Sequence, residues 1–514
     1  MIVVYHINNR ISKVVSNDNS LLSFDYKELI SEGLYKLAVW FPQSKIVWCN
    51  EELQDYLNLK EIEAIFHHNK MMLSYCPGEM DFLGRKIGYV EESPFIKINK
   101  KVSYPTWQMS SIVGVVHASL LLQIKDKIKM DANFDYYLNS VAKVCMPLGL
   151  FCYSEPKLLS AYGGVVVYKE TTIYTLFKFV KQHYKKRWQV LLFLNLILFE
   201  NQFPLLPFVF SLFYKTRKNN NLNLNSIHVQ SNLKNTIDKT IDVIIPTIGR
   251  KKYLYDVLCD LRNQNHLPKN VIIIEQNPSP NSESELDYLT TEKWPFIIKH
   301  TFTHQAGACN ARNIALGKVL SGWVFLADDD IRIEVDFIKQ AIENIDIFGG
   351  KAAIFNCLLK EKKNYFTTIS QTTIFGSGCS IVKKIDSKKI SFNKCLEFGY
   401  GEDTDFGLQL RNYGVDVIYF PKPSILHLKA PIGGFRTKIV LPWEKERIQP
   451  KPSPTIMYVK QKYDCKEQIR GYKTVLFIKL LINNGLLNLF QFLFSFQKKW
   501  KVSLYWANQL DKND

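Results

Sequence analysis

The chain has 514 residues, too many for one ordinary hydrophobic core, so two or more domains are expected. With 46% apolar and 22% charged residues, the composition is globular and excludes a wholly disordered chain. Lys plus Arg outnumber the acids 66 to 48, and the resulting +18 suits an anionic partner: nucleic acid, acidic lipid or a phosphorylated substrate. The ten cysteines show no CxxC pair or metal-ligand spacing, which points to reduced thiols in a reducing compartment. The start, Met1 to Ile7, lacks the basic head and long apolar run of a signal peptide, so a cytoplasmic address is expected.

Residues 1–165 are expected to form one αβ domain. Residues 166–214 form a basic and apolar helical segment. Its part Phe177 to Trp188 carries Lys178, Lys181, Lys185, Lys186 and Arg187, and the apolar run Val190 to Phe213 follows, broken by Glu200-Asn201-Gln202 and two prolines. Residues 215–239 are rich in Asn and Lys with almost no apolar periodicity, the signature of a linker. From 240 to 440 the pattern alternates. Ile241 to Pro246 is a buried-strand run; Leu254, Val257, Leu258 and Leu261 recur at helical spacing; Val271 to Ile274 and Phe296 to Phe302 are strand-like; Ala308 to Leu320 is helix-like; Trp323 to Ala327 is a fourth strand. This alternation predicts an α/β domain with a mainly parallel sheet, flanking helices and ligands at the strands' carboxyl ends.

Residues 441–514 form a C-terminal helical extension. There Val475 to Phe496 is apolar apart from Lys479, Asn483 and Asn484, and is followed by Lys498, Lys499 and Lys501. Neither this run nor Val190 to Phe213 is a clean span of about 20 apolar residues. Helices lying in a membrane interface and buried core helices both fit them, so peripheral membrane contact stays open.

Chemistry concentrates in two acidic segments. Asp328-Asp329-Asp330 ends an apolar strand. Adjacent carboxylates repel unless solvated or bound to a cation. Two of them one residue apart at a strand end reach the same hard ion, Mg²⁺ or Mn²⁺, which also holds substrate phosphates. A solvated acidic turn is the plainer alternative. Gly401-Glu402-Asp403-Thr404-Asp405 precedes a helix-like stretch. Acids there suit the helix dipole, and a carboxylate held there can also serve as a general base.

Four segments together resemble family 2 glycosyltransferases with the GT-A fold: VIIPTIGR (Val243 to Arg250), GACNARNIAL (Gly307 to Leu316), FLADDD (Phe325 to Asp330) and GEDTDFGLQLR (Gly401 to Arg411). ILHLKAPIGGFR (Ile425 to Arg436) resembles the family's closing loop. The resemblance covers about 200 residues and extends to bacterial surface-polysaccharide enzymes. It implies that Pro246, Thr247, Arg250, Glu275, Arg312, Asn313 and Asp328 bind the nucleotide sugar. It also implies that Asp328 and Asp330, with His427 as a further contact, hold Mn²⁺ or Mg²⁺. A lone His after a strand, such as His427, is more often structural. Asp403 would be the catalytic base, with Glu402 placing the acceptor. The implied reaction inverts configuration and passes a sugar from a nucleotide-diphosphate donor, a UDP-sugar foremost, to a glycan or lipid-linked acceptor at the cytoplasmic face of a membrane. The sequence Glu275-Gln276-Asn277 departs from the family's usual Asp-Asp, which weakens the uridine assignment.

The first domain echoes the second. KIVWCNEELQDYL (Lys45 to Leu57) parallels GWVFLADDDIRIEVDFI (Gly322 to Ile338), and SSIVGVVHASLLL (Ser110 to Leu122) parallels TTIFGSGCSIVKK (Thr372 to Lys384). The stretch from Asn133 to Leu159 parallels Asp403 to His427. This alignment puts Asn50 or Cys49 and Glu51-Glu52 in place of the acidic triplet, and Asn133 or a neighbour in place of Asp403. The expectation is a degenerate, non-catalytic GT-A-like domain, against chance likeness of two αβ patterns. Its Trp40, Trp48, Tyr104 and Trp107 suit either sugar stacking or a core. A sugar-phosphate nucleotidyltransferase and a non-catalytic glycan-binding scaffold are the competing classes. The basic residues are dispersed and form no recognised module, so no nucleic-acid partner is expected.

Overall fold

The computed structural model describes residues 1–16, 18, 20–24, 28–160, 171–217, 221–233, 238–359, 366–431, 440–483 and 489–512. The chain divides into two compact units, Met1–Leu233 with Asp464–Leu486, and Lys234–Tyr463 with Leu487–Asp514.

In the first unit the strands are β1 (Ile2–Ile7), β2 (Arg10–Ser16), β3 (Lys45–Asn50), β4 (Met71–Tyr75), β5 (Tyr104–Pro105), β6 (Val113–His117) and β7 (Phe151–Ser154), in one sheet ordered β2-β1-β3-β6-β4-β7-β5. Helices α1 (Ile30–Trp40), α2 (Leu59–Ile65), α3 (Ala118–Ile124), α4 (Phe134–Cys145), α5 (Ile173–His183), α6 (Lys186–Glu200) and α7 (Leu205–Leu212) complete its N-terminal part. Asn133 caps α4, its side chain accepting the Tyr136 N–H. Trp48, Tyr104 and Trp107 are buried, so these three are core residues and do not present rings to a sugar; Trp40 is exposed. The stretch expected as a linker contributes Leu222, Leu224 and Ile227 to this unit's core, because these three apolar residues have a face to bury against.

In the second unit the strands are β8 (Ile241–Thr247), β9 (Asn270–Gln276), β10 (Ile297–Thr303), β11 (Trp323–Ala327), β12 (Ile331–Ile333), β13 (Ala352–Leu359), β14 (Ser370–Gln371), β15 (Cys379–Lys383) and β16 (Val417–His427). The sheet runs β10-β9-β8-β11-β15-β13-β16-β12, with β14 beside β16. Its helices are α8 (Lys251–Arg262), α9 (Tyr288–Thr291), α10 (Ala308–Leu316), α11 (Phe337–Phe348), α12 (Glu402–Asn412) and α13 (Pro454–Tyr463). Helix α14 (Lys466–Asn483) belongs to the first unit and α15 (Leu489–Asp511) to the second, so the C-terminal extension is shared between them.

Strands β10, β9, β8 and β11 are parallel. β15, however, runs against both β11 and β13, so the sheet is mixed rather than mainly parallel. Parallel neighbours need a crossover helix. Among the described residues β13 returns to β15 without one, so the chain comes back antiparallel.

Buried polar groups staple the parallel block. Asp242, fully buried in β8, accepts from Asn270 Nδ2 at 2.6 Å, Ser321 Oγ at 2.6 Å and the Leu320 N–H at 2.7 Å. Burial raises the pKa of this carboxyl, but the Ser321, Asn270 and Leu320 donors outweigh it and leave it lowered.

The two sheets share a plan. In chain order, β1, β3, β4, β6 and β7 correspond to β8, β11, β13, β15 and β16. Both sets lie in the order first-second-fourth-third-fifth, with the same parallel and antiparallel senses. Pairing fixes the register. Cys49 opposes Val113, the first residue of β6, as Ala327 opposes Cys379, the first of β15. Asn50-Glu51-Glu52 thus stands where Asp328-Asp329-Asp330 does. Asp135, second in α4, accepts the Ser111 N–H at 2.7 Å, and Asp403, second in α12, accepts the Ser377 N–H at 3.3 Å. Of Asn133 and its neighbours, the counterpart of Asp403 is therefore Asp135, while Asn133 is the helix cap.

Candidate functional site

The carboxyl ends of β8, β11 and β16 bring Thr247, the acidic triplet and His427 together. The three acids take different roles. Asp330 is buried and bonded three ways: to His427 Nε2 at 3.2 Å, to Arg250 at 3.0 Å and to the Ala430 N–H at 3.0 Å. Burial raises its pKa, yet His427, the Ala430 N–H and Arg250 outweigh it and leave it lowered. The same contact, with Asp330 as acceptor, raises the pKa of His427. Asp329 faces the protein: Thr247 Oγ1 donates to it at 2.7 Å and Arg250 at 2.5 Å. Burial, only partly offset by Arg250 and Thr247, pushes its carboxyl up to about 6. Asp328 is about a third exposed and is paired with Arg312 at 3.1 Å.

Asp328, Asp330 and His427 each present a ligand atom within 4.8 Å of the others, the one such trio of acids, cysteines or histidines among the described residues. Two carboxylates and one imidazole form a donor set that fits Mn²⁺ well and Mg²⁺ less well. Gly378 makes room for it: a Cβ there would lie 2.0 Å from Asp328 Oδ2.

A cavity of about 590 Å³ opens over this cluster. Its walls are Pro246 to Ile248 and Arg250, Gln276, Ala306 to Cys309 and Arg312, the triplet, Leu396 to Gly399 with Glu402, and His427 with Lys429 to Pro431. Of the residues singled out from sequence, Pro246, Thr247, Arg250, Arg312, Asp328, Asp330, Glu402 and His427 line it. Three do not. Glu275 is turned to Ser284 Oγ (2.6 Å), the Glu285 N–H (3.1 Å) and His300 (2.9 Å), and its neighbour Gln276 takes its place on the wall. Asn313 is exchanged in two hydrogen bonds with the backbone of Phe392. Asp403 is held by Ser377 beside the wall; burial raises its pKa, partly offset by Arg312. Glu402, on the wall, is raised by burial and by Asp403. The other acid of the segment, Asp405, is fully buried and accepts from Tyr463 Oη at 2.8 Å, so it anchors α13.

Sequence reasoning missed Asp329, Glu397 and Lys429. Glu397 accepts the Cys309 and Asn310 N–H groups at 3.0 and 2.9 Å, capping α10, which carries Arg312. It fills the space beside Gly307, whose φ of +148° no ordinary side chain adopts easily. Lys429 adds a cation two residues after His427. Only the helix start at Ala308 hinted at the first pairing.

Fold and site define an α/β unit with an acidic, cation-fitted cavity at the strands' carboxyl ends. Residues 242–401 of this unit match the model of the Glycosyl transferase family 2, a segment shorter than half of the chain that stops before Asp403 and His427. A family 2 glycosyltransferase domain thus lies in the second unit. A sequence search of curated proteins returned no match. Among solved structures, the chain is similar to residues 1–349 of S. aureus TarS at 17% identity and a TM-score of 0.31, covering 37% of this chain and 60% of that one. For the same protein in complex with UDP-GlcNAc the values are 17%, 0.37, 53% and 81%. For GalNAc-T7 with UDP, GalNAc and Mn²⁺ they are 12%, 0.33, 43% and 48%.

Proposed function

We propose that the second unit transfers a sugar from a nucleotide-diphosphate donor, a UDP-sugar, to a hydroxyl of a glycan or lipid-linked acceptor, with inversion, at the cytoplasmic face of a membrane. The observation that carries this reading is the convergence of Asp328, Asp330 and His427 to within 4.8 Å, in a cavity that Glu402 also lines. When bound there, Mn²⁺ or Mg²⁺ would neutralise charge gained by the departing diphosphate.

The chain's own residues do the rest. Arg250, Arg312 and Lys429 bring positive charge to the wall where phosphates would lie. Thr247 and Arg250 clamp Asp329, so the backbone bearing its two neighbours is fixed before donor arrives. Asp403 takes the acceptor hydroxyl's proton as that oxygen attacks the anomeric carbon; a pKa raised by burial makes it a better base than an exposed aspartate. Glu402 orients the acceptor. The first unit, with Asn50 at the position of Asp328, is proposed to be non-catalytic.

The test is release of nucleotide diphosphate from a panel of nucleotide sugars, with and without Mn²⁺. Metal-stimulated release in the wild type, lost in Asp328→Asn/Asp330→Asn, is expected. Absence of release from every donor, or metal dependence that survives in the double variant, would overturn the reading.

A further inference from the structure

The first unit carries an inverted helix. Every residue of α7 except Ser211 is apolar, yet the polar one faces inward: Ser211 is fully buried, accepting from Gln189 Nε2 of α6 at 2.7 Å. Phe208 joins it against the core. The opposite face, at spacings of three and four, is Leu206, Val209, Phe210 and Phe213, all exposed, with Phe213 at 81%. Phe203 in the turn before α7 is 69% exposed. A contiguous bare apolar ridge of this kind marks a docking surface.

Charge identifies what docks. The Gln189–Ser211 bond sets the first turn of α6 beside the last turn of α7, and that turn is approached through Lys185, Lys186 and Arg187, all exposed. Lys215, also exposed, follows α7. The one acid of the hairpin, Glu200 at the far end of α6, is engaged by Tyr89 and Arg470. Apolar side chains with four cations gathered at one end of the hairpin and no free acid in it match an anionic bilayer: rings in the acyl boundary, cations at the headgroups. At 15 and eight residues, α6 and α7 are too short to cross, and no helix among the described residues is long and apolar enough to do so.

We infer that the α6–α7 hairpin is a membrane-surface anchor that seats the chain on anionic lipid. Helix α5, also basic, is not part of it, because Phe177, Phe179 and Val180 are buried in the core. The inference rests on this hairpin and not on the transferase reading.

The experiment is cosedimentation of the full chain with vesicles of phosphatidylcholine, alone or mixed with phosphatidylglycerol. Wild type should pellet with the mixed vesicles, less so as salt rises. Leu206→Ser/Phe213→Ser should weaken pelleting by more than about tenfold. Lys186→Gln/Arg187→Gln should weaken it about fivefold per cation removed. All substituted positions are exposed, and melting temperature and donor hydrolysis should match wild type in both variants. Wild type that stays in the supernatant, pellets equally with neutral vesicles, or pellets unchanged in both variants overturns the inference. So does a wild-type dimer, seen by light scattering, that Leu206→Ser/Phe213→Ser converts to monomer, since the ridge would then meet a second copy. Loss of hydrolysis in wild type bears only on the transferase reading.

Discussion

Replacing Gly378 with Ala isolates the metal site from the fold. The new Cβ would stand 2.0 Å from Asp328 Oδ2 and 2.4 Å from its Cγ. Ordinary contacts begin near 3.4 Å and none persists under 3.0 Å, so the carboxylate must retreat by at least about 1 Å. It has somewhere to go, because Asp328 is 35% exposed and can swing toward solvent. The stability cost is therefore small, under about 1 kcal/mol, where an enclosed clash would cost about 1–3 kcal/mol. Function should suffer far more, since a misplacement of about 1 Å costs on the order of 100-fold in rate. Titration calorimetry with Mn²⁺, donor hydrolysis and a thermal melt on one preparation separate these effects. The expected result is weakened Mn²⁺ binding and about 100-fold slower hydrolysis at a nearly unchanged melting temperature. Gly378→Ala with wild-type Mn²⁺ affinity and rate would refute the argument that Asp328 must occupy this space to hold the cation.

Three further outcomes follow from the geometry. Because burial raises the pKa of Asp403, its base form is lost on acidification earlier than in an ordinary aspartate; transferase rate should fall on an acid limb at higher pH than an exposed aspartate would give, and Asp403→Asn should lose activity without shifting Mn²⁺ affinity. Asp242→Ala leaves the buried Asn270 and Ser321 donors, and the half-buried Leu320 N–H, without their acceptor and should cost about 3 kcal/mol or more, a melting drop of roughly 6–12 °C. The Asp242 pKa is lowered by folding, so its stabilisation is present above the unfolded value and lost as pH falls through the lowered one; urea titrations should show Asp242→Ala with a shallower acid dependence than wild type. Asp135→Ala should destabilise the first unit by about 1–3 kcal/mol while donor hydrolysis stays at the wild-type rate, and a stably folded Asp135→Ala without activity would show that the first unit takes part in catalysis.

What the sequence disclosed depended on how local the signal was. Ile241 to Pro246 and Trp323 to Ala327 were legible as strands because both faces are covered and the runs are apolar, with Asp242 the single break. Helix α8 buries Leu254, Val257, Leu258 and Leu261, the four residues its spacing marked. The pairing of Asp330 with His427, 97 positions apart, became definite only when β12 zipped to β16. Asp329 was unreadable for the same reason: its partners, Thr247 at the end of β8 and Arg250 just after it, come near β11 only in the folded sheet. Glu275 could not be placed from sequence, because a strand-end acid does not announce whether it faces a cavity or, as here, bonds Ser284 and His300. Periodicity could not decide which unit α14 joins, since an amphipathic helix specifies a face and not a partner.

The shared plan of the two sheets explains why one site survives and the other does not. An aspartate at the helix start is kept in both: Asp135 takes the Ser111 N–H and hydroxyl at 2.7 and 2.9 Å, and Asp403 takes the Ser377 N–H at 3.3 Å. Tying the loop before β6 or β15 to a helix N-terminus is a structural gain that needs no catalysis. The acid at that position is thus no proof of an active site by itself. The next residue is the discriminating one. After Ser377 stands Gly378, whose missing Cβ admits the Asp328 carboxylate. After Ser111 stands Ile112, a buried branched side chain in the same register. A carboxylate at position 50 set as that of Asp328 would meet the Ile112 side chain, where Asp328 meets a glycine. Asn50, the same size as an aspartate, instead turns its oxygen to the Glu52 N–H at 3.0 Å and caps the turn. Restoring the acidic triplet to the first unit would therefore not restore a cation site unless Ile112 became glycine as well.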